Sequence, residues 1–238
     1  MKEFYEKLDL FNNPITTRNL KILERCYIKL QNLEHPRILD IGCGNGWYCT
    51  SLREFFPNMH YCGLDINDKD DVKDVFDDFY LVDLNSDKEL QELTLNNSDF
   101  DIIICSEVLE HLFNPEYIYT FIADNLKENG IAIVTTPNLD WAMRELCPDE
   151  LLYNHEIPHI KQHIRQFNLA THRKYLTSNS VRIIEVFGAD SEYCEISNTV
   201  VTKIREKYPE CNPITLHRAL QEVLAEYQHT IGVVAELE

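Results

Sequence analysis

Short apolar runs alternate with polar or amphipathic stretches along most of the chain, and this pattern predicts strands that alternate with helices. The runs are rich in Ile, Val, Leu and Cys and have the length of buried strands; they cover residues 37–41, 59–64, 79–82, 100–105, 130–136, 182–187 and 230–235. The predicted helices cover residues 16–30, 47–56, 71–76, 115–126, 168–177 and 215–227. The alternation favours an α/β fold in which helices lie on both faces of a doubly wound sheet of seven strands.

The first predicted strand runs directly into a glycine-rich turn. Residues 37–47 read R-I-L-D-I-G-C-G-N-G-W, with glycines at 42, 44 and 46. Glycine is needed where the backbone takes a positive φ or lies against a ligand, and a helix that follows such a turn presents unpaired N–H groups. The turn therefore predicts a floor for a nucleoside-type cofactor. It is one residue shorter than the dinucleotide fingerprint, since Trp47 stands where the third glycine would be, and no G-K-[ST] follows to make a phosphate-binding P-loop.

An acidic residue, Asp65, ends the second predicted strand about 20 residues after the glycine turn. A carboxylate accepts two hydrogen bonds at once, so this position suits recognition of both ribose hydroxyls of a bound nucleoside. The alternative is that Asp65 only begins the acidic turn at residues 67–71. The spacing favours the ribose role.

Composition narrows the class of partner. The chain has 238 residues, 44% of them hydrophobic, which suits one domain with a proper core. Forty acidic against 22 basic residues give a net charge of −18, which disfavours a nucleic acid partner. No apolar run approaches the roughly 20 residues of a membrane span. The N-terminus shows no secretory pattern and the eight cysteines form no C-x-x-C pair, so we predict reduced thiols and a cytoplasmic location.

Three further motifs carry a resemblance to a known family. They are F-D-I-I-I-C-S-E-V-L-E-H-L at 100–112, L-K-E-N-G-I-A-I-V-T-T-P-N at 126–138 and H-I-R-Q-F-N at 163–168. Together with the glycine turn, they resemble the ubiquinone-biosynthesis-type (methyltransferase 11/23-like) branch of the class I S-adenosylmethionine-dependent methyltransferases. The resemblance covers roughly residues 37–187 and implies a Rossmann-like sheet whose last strand lies antiparallel beside the fifth. It implies a single domain, 1–238, with an N-terminal helical cap (1–36), a cofactor-binding core (37–138), a substrate-covering insertion and helix (139–180) and C-terminal strands and helix (181–238).

The resemblance also implies where S-adenosylmethionine would bind. The glycine turn would carry the cofactor, Asp65 the ribose, the loop after the third strand the adenine, and the loop after the fourth strand the methionine half. The implied cofactor residues are Asp40, Gly42, Cys43, Gly44, Asn45, Gly46, Asp65, Ile66, Asp83, Leu84, Ser106 and Glu107.

The chemistry expected from this resemblance is methyl transfer to oxygen or nitrogen of a small-molecule acceptor. A base matters only if the acceptor arrives protonated, and histidine titrates near neutral pH. His111 and His163 are the candidate catalytic residues, although His111 could equally be structural. For acceptor binding we predict Trp141 and His159, with Arg165 able to pair with an anionic group; Arg18 or Tyr5 of the N-terminal helices, and Tyr153, could also reach the substrate.

Metal chemistry is the main alternative. His155–His159 reads as a zinc-protease pattern, but Pro158 breaks the helix that this pattern needs. Glu107, Glu110 and His111 with His159 or His163 are similar to the ligand set of RNA 3′-terminal 2′-O-methyltransferases, which would be sensitive to a chelator. We expect no metal, because E-V-L-E-H-L also occurs in metal-free small-molecule methyltransferases and because the acidic surface disfavours RNA. A third hypothesis is a non-catalytic subunit that binds S-adenosylmethionine without turnover.

Overall fold

A seven-stranded sheet organises the part of the chain that the structure describes. The computed structural model describes residues 4, 7–8, 15–67, 74–93, 95, 98–138, 165, 167–189, 202, 205–207, 209–210, 212 and 230–238. The strands are β1 (Arg37–Ile41), β2 (His60–Asp65), β3 (Asp78–Leu81), β4 (Phe100–Ser106), β5 (Leu126–Pro137), β6 (Val181–Ala189) and β7 (Thr230–Leu237). Their order across the sheet is β3-β2-β1-β4-β5-β7-β6.

The direction of the strands confirms the predicted topology. Neighbouring strands from β3 to β5 are parallel, whereas β7 runs antiparallel to both β5 and β6. The order of the strands reverses between β1 and β4, which is the place where open α/β sheets bind ligands at their carboxyl ends. We call the edge of the sheet formed by the carboxyl ends of β1, β2, β4 and β5 the carboxyl rim.

Helices cover both faces of the sheet. The helices whose bounds are described are α1 (Thr17–Leu30), α2 (Trp47–Arg53), α3 (Asp87–Glu92), α4 (Glu116–Asn125) and α5 (Leu169–Thr177), with a short 3₁₀ turn at Leu109–His111. Side-chain caps set two of the starts: Thr16 accepts a hydrogen bond from Asn19 N, and Asn168 accepts one from Thr171 N. None of the helices described is long and apolar enough to cross a membrane.

Alternate residues along the central strands pack into two apolar layers, one on each face of the sheet. Ile38, Ile102 and Ile133 face the layer that contains buried residues of α1 and α2. Their neighbours Leu39, Ile103 and Val134 face the layer that contains buried residues of α4 and α5. Because successive side chains point to opposite faces of a strand, these continuous apolar runs fit strands that are covered on both faces. The sheet is thus packed on both faces beneath its rim.

The structure departs from the predicted elements in two places. Residues 74–76 form a turn and an irregular segment rather than the end of a helix over 71–76, of which 71–73 lie outside the described residues. Val75 and Phe76 instead pack against the glycine turn, since a Cβ at Gly46 would lie 2.9 Å and 3.0 Å from their side chains. The helix predicted over 47–56 ends at Arg53. The predicted helix at 215–227 lies outside the described residues.

The two ends of the predicted insertion meet beside the sheet. Asn138 follows β5 directly and forms an isolated parallel bridge with Phe167, which precedes α5. Phe167 is buried and stacks on the ring of His172 at 5.5 Å between centroids. The chain therefore leaves and rejoins the sheet at one point, next to the carboxyl rim.

The first described residue is part of the core. Phe4 is fully buried and lies 4.9 Å from the ring of Tyr27 and 5.3 Å from that of Phe55. Phe55 and Phe56 follow α2 near the start of β2, away from the carboxyl rim. By contrast, α1 begins at the rim, where Arg18 reaches the residue that follows β4.

Candidate functional site

The glycine turn at the end of β1 has a left-handed backbone at three positions. Gly42, Gly44 and Gly46 have φ values of 71°, 55° and 71°. Gly42 N and Cys43 N both donate to Leu64 O, at 2.8 Å and 3.0 Å, so the turn is tied to β2. A Cβ at Gly42 would lie 2.4 Å from Val108 Cγ2, whereas a Cβ at Gly44 would meet nothing within 4 Å. Gly42 is thus required by packing inside the protein, and Gly44 leaves an open surface.

Asp65 is turned inward onto this open surface. Its Oδ2 accepts from Gly44 N at 2.8 Å, and its Oδ1 accepts from Asn67 N at 2.8 Å and from Asn67 Nδ2 at 2.9 Å. The residue is only 7% exposed, although Ile66 beside it is 60% exposed. A carboxylate has about four lone-pair sites, so these three bonds leave capacity for a ligand hydroxyl.

Asp40 and Cys43 have side chains that lie beneath the turn. Asp40 is buried and accepts a hydrogen bond from Tyr61 OH at 3.0 Å, and burial raises its pKa to about 7. The Cys43 thiol packs against β2, since a Cβ at Gly63 would lie 2.8 Å from its Sγ. Both side chains are therefore buried and support the turn from below.

The loop after β3 is joined to the loop after β4. Asp83 Oδ1 accepts from Asn85 N at 2.9 Å, which forms a compact turn. Asn85 Oδ1 in turn accepts from Phe113 N at 2.7 Å. Leu84 is partly buried against the same apolar layer as α4. The two loops thus flank the rim on the β3 side, where the adenine residues were predicted.

A ring of polar side chains closes the other side of the rim. Arg18 Nη1 lies 3.0 Å from Glu107 Oε2, and Thr135 Oγ1 donates to Glu107 Oε1 at 3.1 Å. Thr135 also lies 3.0 Å from Ser106 Oγ, and Tyr48 OH lies 3.3 Å from that same oxygen. The hydroxyl of Tyr48 donates to Asn19 Oδ1 at 2.8 Å. The ring links α1 and α2 to the ends of β4 and β5.

Glu107 holds an unusual backbone conformation in this ring. Its φ is 56°, which few residues other than glycine adopt, and its N–H donates to Thr135 O at 3.0 Å. Backbone outliers of this kind persist where surrounding contacts fix them, and they concentrate at functional sites. The sequence motif pointed to Glu107 and Ser106, but Asn19, Tyr48 and Thr135 were not predicted, since their roles depend on contacts between distant elements.

Glu110 is a buried carboxyl that none of the described residues satisfies. It is 1% exposed, and neither carboxyl oxygen has a hydrogen-bond donor within the described part of the chain. His111 Nε2 lies 3.8 Å from Glu110 Oε1, too far for a hydrogen bond. Burial, and then the charge of Glu107, raise the pKa of Glu110 to about 9 against the opposing effects of its own backbone N–H and of Arg18, so burial favours the protonated carboxyl.

Several predicted acceptor residues cannot be placed. His163, His159 and Trp141, together with Tyr5 and Tyr153, lie outside the described residues. Arg165 is described, and it holds the loop after β4: its N–H donates to Glu110 O at 3.1 Å and its Nη2 to Phe113 O at 2.6 Å. Among the residues described, no three His, Cys, Asp or Glu side chains are grouped so as to hold a metal ion.

His172 supports the rim from within the core. Its Nδ1 lies 2.8 Å from Tyr119 OH and its Nε2 lies 3.0 Å from Thr136 Oγ1. Burial lowers its pKa to about 3, so the imidazole is neutral. It joins α4, β5 and α5 directly behind the bridge between Asn138 and Phe167. No sequence pattern singles out His172, because a lone histidine on a helix has many structural uses.

Comparison with known proteins defines the class. A solved S-adenosylmethionine-dependent methyltransferase from Archaeoglobus fulgidus superposes with a TM-score of 0.57 at 18% identity, covering 91% of this chain and 93% of that chain. The phosphoethanolamine N-methyltransferase 2 of Haemonchus contortus, solved with S-adenosyl-L-methionine, gives a TM-score of 0.58 at 15% identity, covering 93% of this chain and 52% of that one. These likenesses concern the fold. The fold is that of the Rossmann-like, class I S-adenosylmethionine-dependent methyltransferases.

Sequence comparison identifies the family. The sequence model of the methyltransferase domain matches residues 14–184, most of the chain, so the chain belongs to the methyltransferase-domain family. The ubiquinone biosynthesis O-methyltransferase of Rickettsia bellii is 28% identical over 127 residues, which are 53% of this chain and 51% of that protein. The chain thus spans about half the length of the curated relatives it matches. The resemblance expected from the motifs is confirmed, and so is S-adenosylmethionine as the family's cofactor.

The two glycines at 42 and 44 should respond differently to substitution. Gly44→Ala should cost about 1–2 kcal/mol of unfolding free energy for the left-handed backbone alone and should block S-adenosylhomocysteine binding, because its Cβ would occupy the open surface. Gly42→Ala should lose a further 1–3 kcal/mol or so from the contact with Val108. Urea unfolding and calorimetric titration measure the two effects. If a folded Gly44→Ala protein binds S-adenosylhomocysteine as tightly as the wild type, the assignment of the binding site to this surface is wrong.

Glu110 should make the protein less stable as the pH rises. Its pKa is higher in the folded than in the unfolded state, so its contribution is fully present below about pH 4.5 and is lost as the pH rises towards 9. Glu110→Gln removes this loss, and its stability advantage over the wild type should grow by about 1.4 kcal/mol per pH unit between pH 5 and 8. Urea unfolding at both pH values tests this. Glu116→Gln, which removes an exposed carboxyl of α4, is the control, and an equal advantage at both pH values would contradict the assignment.

Proposed function

We propose that this chain transfers the methyl group of S-adenosylmethionine to an oxygen or nitrogen of a small molecule. The observation that carries the proposal is the open surface at Gly44, whose N–H donates to Asp65, together with the Arg18–Glu107 pair at the end of the neighbouring strand β4. S-adenosylmethionine is a nucleoside joined to an amino acid. Its ribose hydroxyls can donate to Asp65, and its amino-acid end carries charges opposite to those of Arg18 and Glu107. Membership of the methyltransferase-domain family supports the same activity.

The adenosyl half is assigned to the side of the rim formed by β1, β2 and β3. Asp65 would accept from the ribose hydroxyls, and the exposed Ile66 would cover one face of the adenine. Asp83 and Leu84 would contact its edge and other face. The backbone of the turn at Cys43, Asn45 and Gly46, with Gly42 and Gly44, would lie beneath the sugar, and Asp40 would support that turn from below.

The amino-acid half is assigned to the polar ring on the other side. An amino acid carries an ammonium and a carboxylate close together, and Arg18 and Glu107 present the complementary charges within one ion pair. A guanidinium suits the carboxylate because it can donate two parallel hydrogen bonds. Glu107 would receive the ammonium, and Ser106 and Tyr48 would complete the ring. In this arrangement the ion pair opens to admit the ligand.

Methyl transfer is an in-line displacement, for which the cofactor supplies a methyl group activated by its sulfonium. The protein contributes mainly by holding the acceptor at the right distance and angle. His111, whose side chain is 37% exposed next to Glu110, would act as the base if the acceptor arrives protonated. The roles of His163, His159 and Trp141 in the predicted insertion stay predictions.

A small acceptor is favoured over RNA. The net charge of −18 repels phosphate backbones. The guanidinium of Arg165, a cation that could bind a phosphate, donates a hydrogen bond to Phe113 O. The Rickettsia bellii relative is named as an O-methyltransferase of ubiquinone biosynthesis, which supports a small molecule as acceptor here. We also propose a cytoplasmic location, supported by five buried cysteines with free thiols among the described residues.

The proposal is tested by following the methyl group itself. The protein is incubated with S-adenosylmethionine labelled on the methyl group, in parallel with a small-molecule cell extract and with total RNA, each with and without a chelator. Label should enter the small molecules and should persist in the chelator. Asp65→Ala is the matched control, since losing hydrogen bonds to a carboxylate should weaken cofactor binding by about 1–3 kcal/mol. Chelator-sensitive labelling of RNA, or tight binding without any transfer, would contradict the proposal.

Arg18 provides a separate test of the amino-acid end. Arg18→Gln should weaken binding of S-adenosylmethionine by about tenfold or more, as expected for hydrogen bonds to a charged group. Binding of 5′-methylthioadenosine, which has no amino-acid end, should stay the same. Lys21→Gln removes a cation from the same helix, where Lys21 Nζ donates to Gly188 O, and serves as the control in calorimetry. Equal weakening of the binding of both ligands would mean that Arg18 does not contact the amino-acid end of the cofactor.

A further inference from the structure

Glu110 is the least satisfied polar group of the described structure. A buried carboxyl usually has hydrogen-bond donors, since leaving it without them costs stability. Here neither oxygen has a described donor, and the side chain is 2% exposed. Such a group destabilises a protein core, whereas in a ligand site it can accept a hydrogen bond from the ligand. The orphaned carboxyl therefore indicates a ligand that supplies the donor.

The position of Glu110 relates this ligand to the methyl group. Glu110 lies in the 3₁₀ turn directly after β4 and Glu107, on the carboxyl rim. Glu107 is the charge that acts most strongly on its carboxyl, and Arg18 acts on it as well. Glu110 thus lies beside the pair assigned to the amino-acid end of the cofactor, which places it near the reacting end rather than the adenine end.

The nearby described cations have other partners. Arg18 is engaged by Glu107 at 3.0 Å, and the Arg165 guanidinium donates to Phe113 O at 2.6 Å. His111 Nε2 is too far from Glu110 for a hydrogen bond. An acidic group on the ligand would bring a second negative charge next to Glu107, which the low dielectric of a buried site makes costly. A positively charged N–H group would instead donate to the carboxyl of Glu110 and be attracted by the charge of Glu107.

We propose that Glu110 is a binding residue for the methyl acceptor and that it selects an amine, whose N–H groups donate to its carboxyl. This rests on the proposed function, since the methyl group must lie beside Glu107. The pair of Glu107 and Glu110 then defines the class of acceptor as basic and excludes acids. Arg165, predicted from the sequence to seat an anionic group, serves to fasten the loop that carries Glu110.

The proposal can be tested before the acceptor is known. Sinefungin resembles S-adenosylhomocysteine but carries an amine on the carbon that replaces the sulfur, so it places a cation where the methyl group would be. The wild type should bind sinefungin about tenfold more tightly than S-adenosylhomocysteine. In Glu110→Gln, which keeps the shape of the side chain, this preference should fall by most of that factor while the affinity for S-adenosylhomocysteine stays the same. Glu116→Gln should keep the wild-type preference.

Three results would overturn the proposal. An unchanged preference in Glu110→Gln would mean that the carboxyl does not face the methyl position. Binding of Mn²⁺ alone by the wild type, lost in Glu110→Gln, would assign the carboxyl to a metal instead. Failure of the wild type to bind S-adenosylhomocysteine would remove the cofactor assignment and this proposal together, whereas normal binding with an unchanged preference would remove this proposal only.

Discussion

The hydrogen bond from Gly44 N to Asp65 Oδ2 is the contact on which the geometry of the rim depends. It joins the turn after β1 to the end of β2 across the place where a ligand would lie. The left-handed backbone of the turn brings the N–H of Gly44 to the carboxylate, and two further N–H groups of the turn bind Leu64 O. Charge-assisted bonds of this type are stronger than neutral ones. The acid is therefore held in place before any ligand arrives.

Around this contact, the polar groups of the rim fall into two sets. On one side, carboxylates and exposed apolar side chains suit a sugar and a base. On the other side, Arg18 and Glu107 form an ion pair that fixes α1 against the ends of β4 and β5. Since α1 supplies both Arg18 and Asn19, the geometry of this side of the rim depends on how the helix packs against the sheet. Phe4 belongs to the same apolar layer as α1, so the beginning of the chain contributes to that docking.

The sequence was sufficient for the features that are local. The apolar runs marked all seven strands, and the three glycines with Asp65 marked the open end of the sheet. It failed where a contact joins distant elements. Tyr48 meets Asn19 and Ser106 only because α1 and α2 pack on the same face, and His172 meets Tyr119 and Thr136 only after α5 returns to the sheet. The helix predicted at 71–76 was wrong at residues 74–76, since packing of Val75 and Phe76 against the glycine turn outweighs helical spacing.

The bridge between Asn138 and Phe167 has a consequence for how such a protein can change. The chain departs from β5 and comes back to α5 at neighbouring positions, and His172 fixes this junction from inside the core. A junction of this kind lets the length and sequence between its two arms vary without disturbing strand register. Lengthening a loop raises the entropic cost of closing it only slightly. The segment between the two arms can therefore be exchanged while the strands and the carboxyl rim stay unchanged.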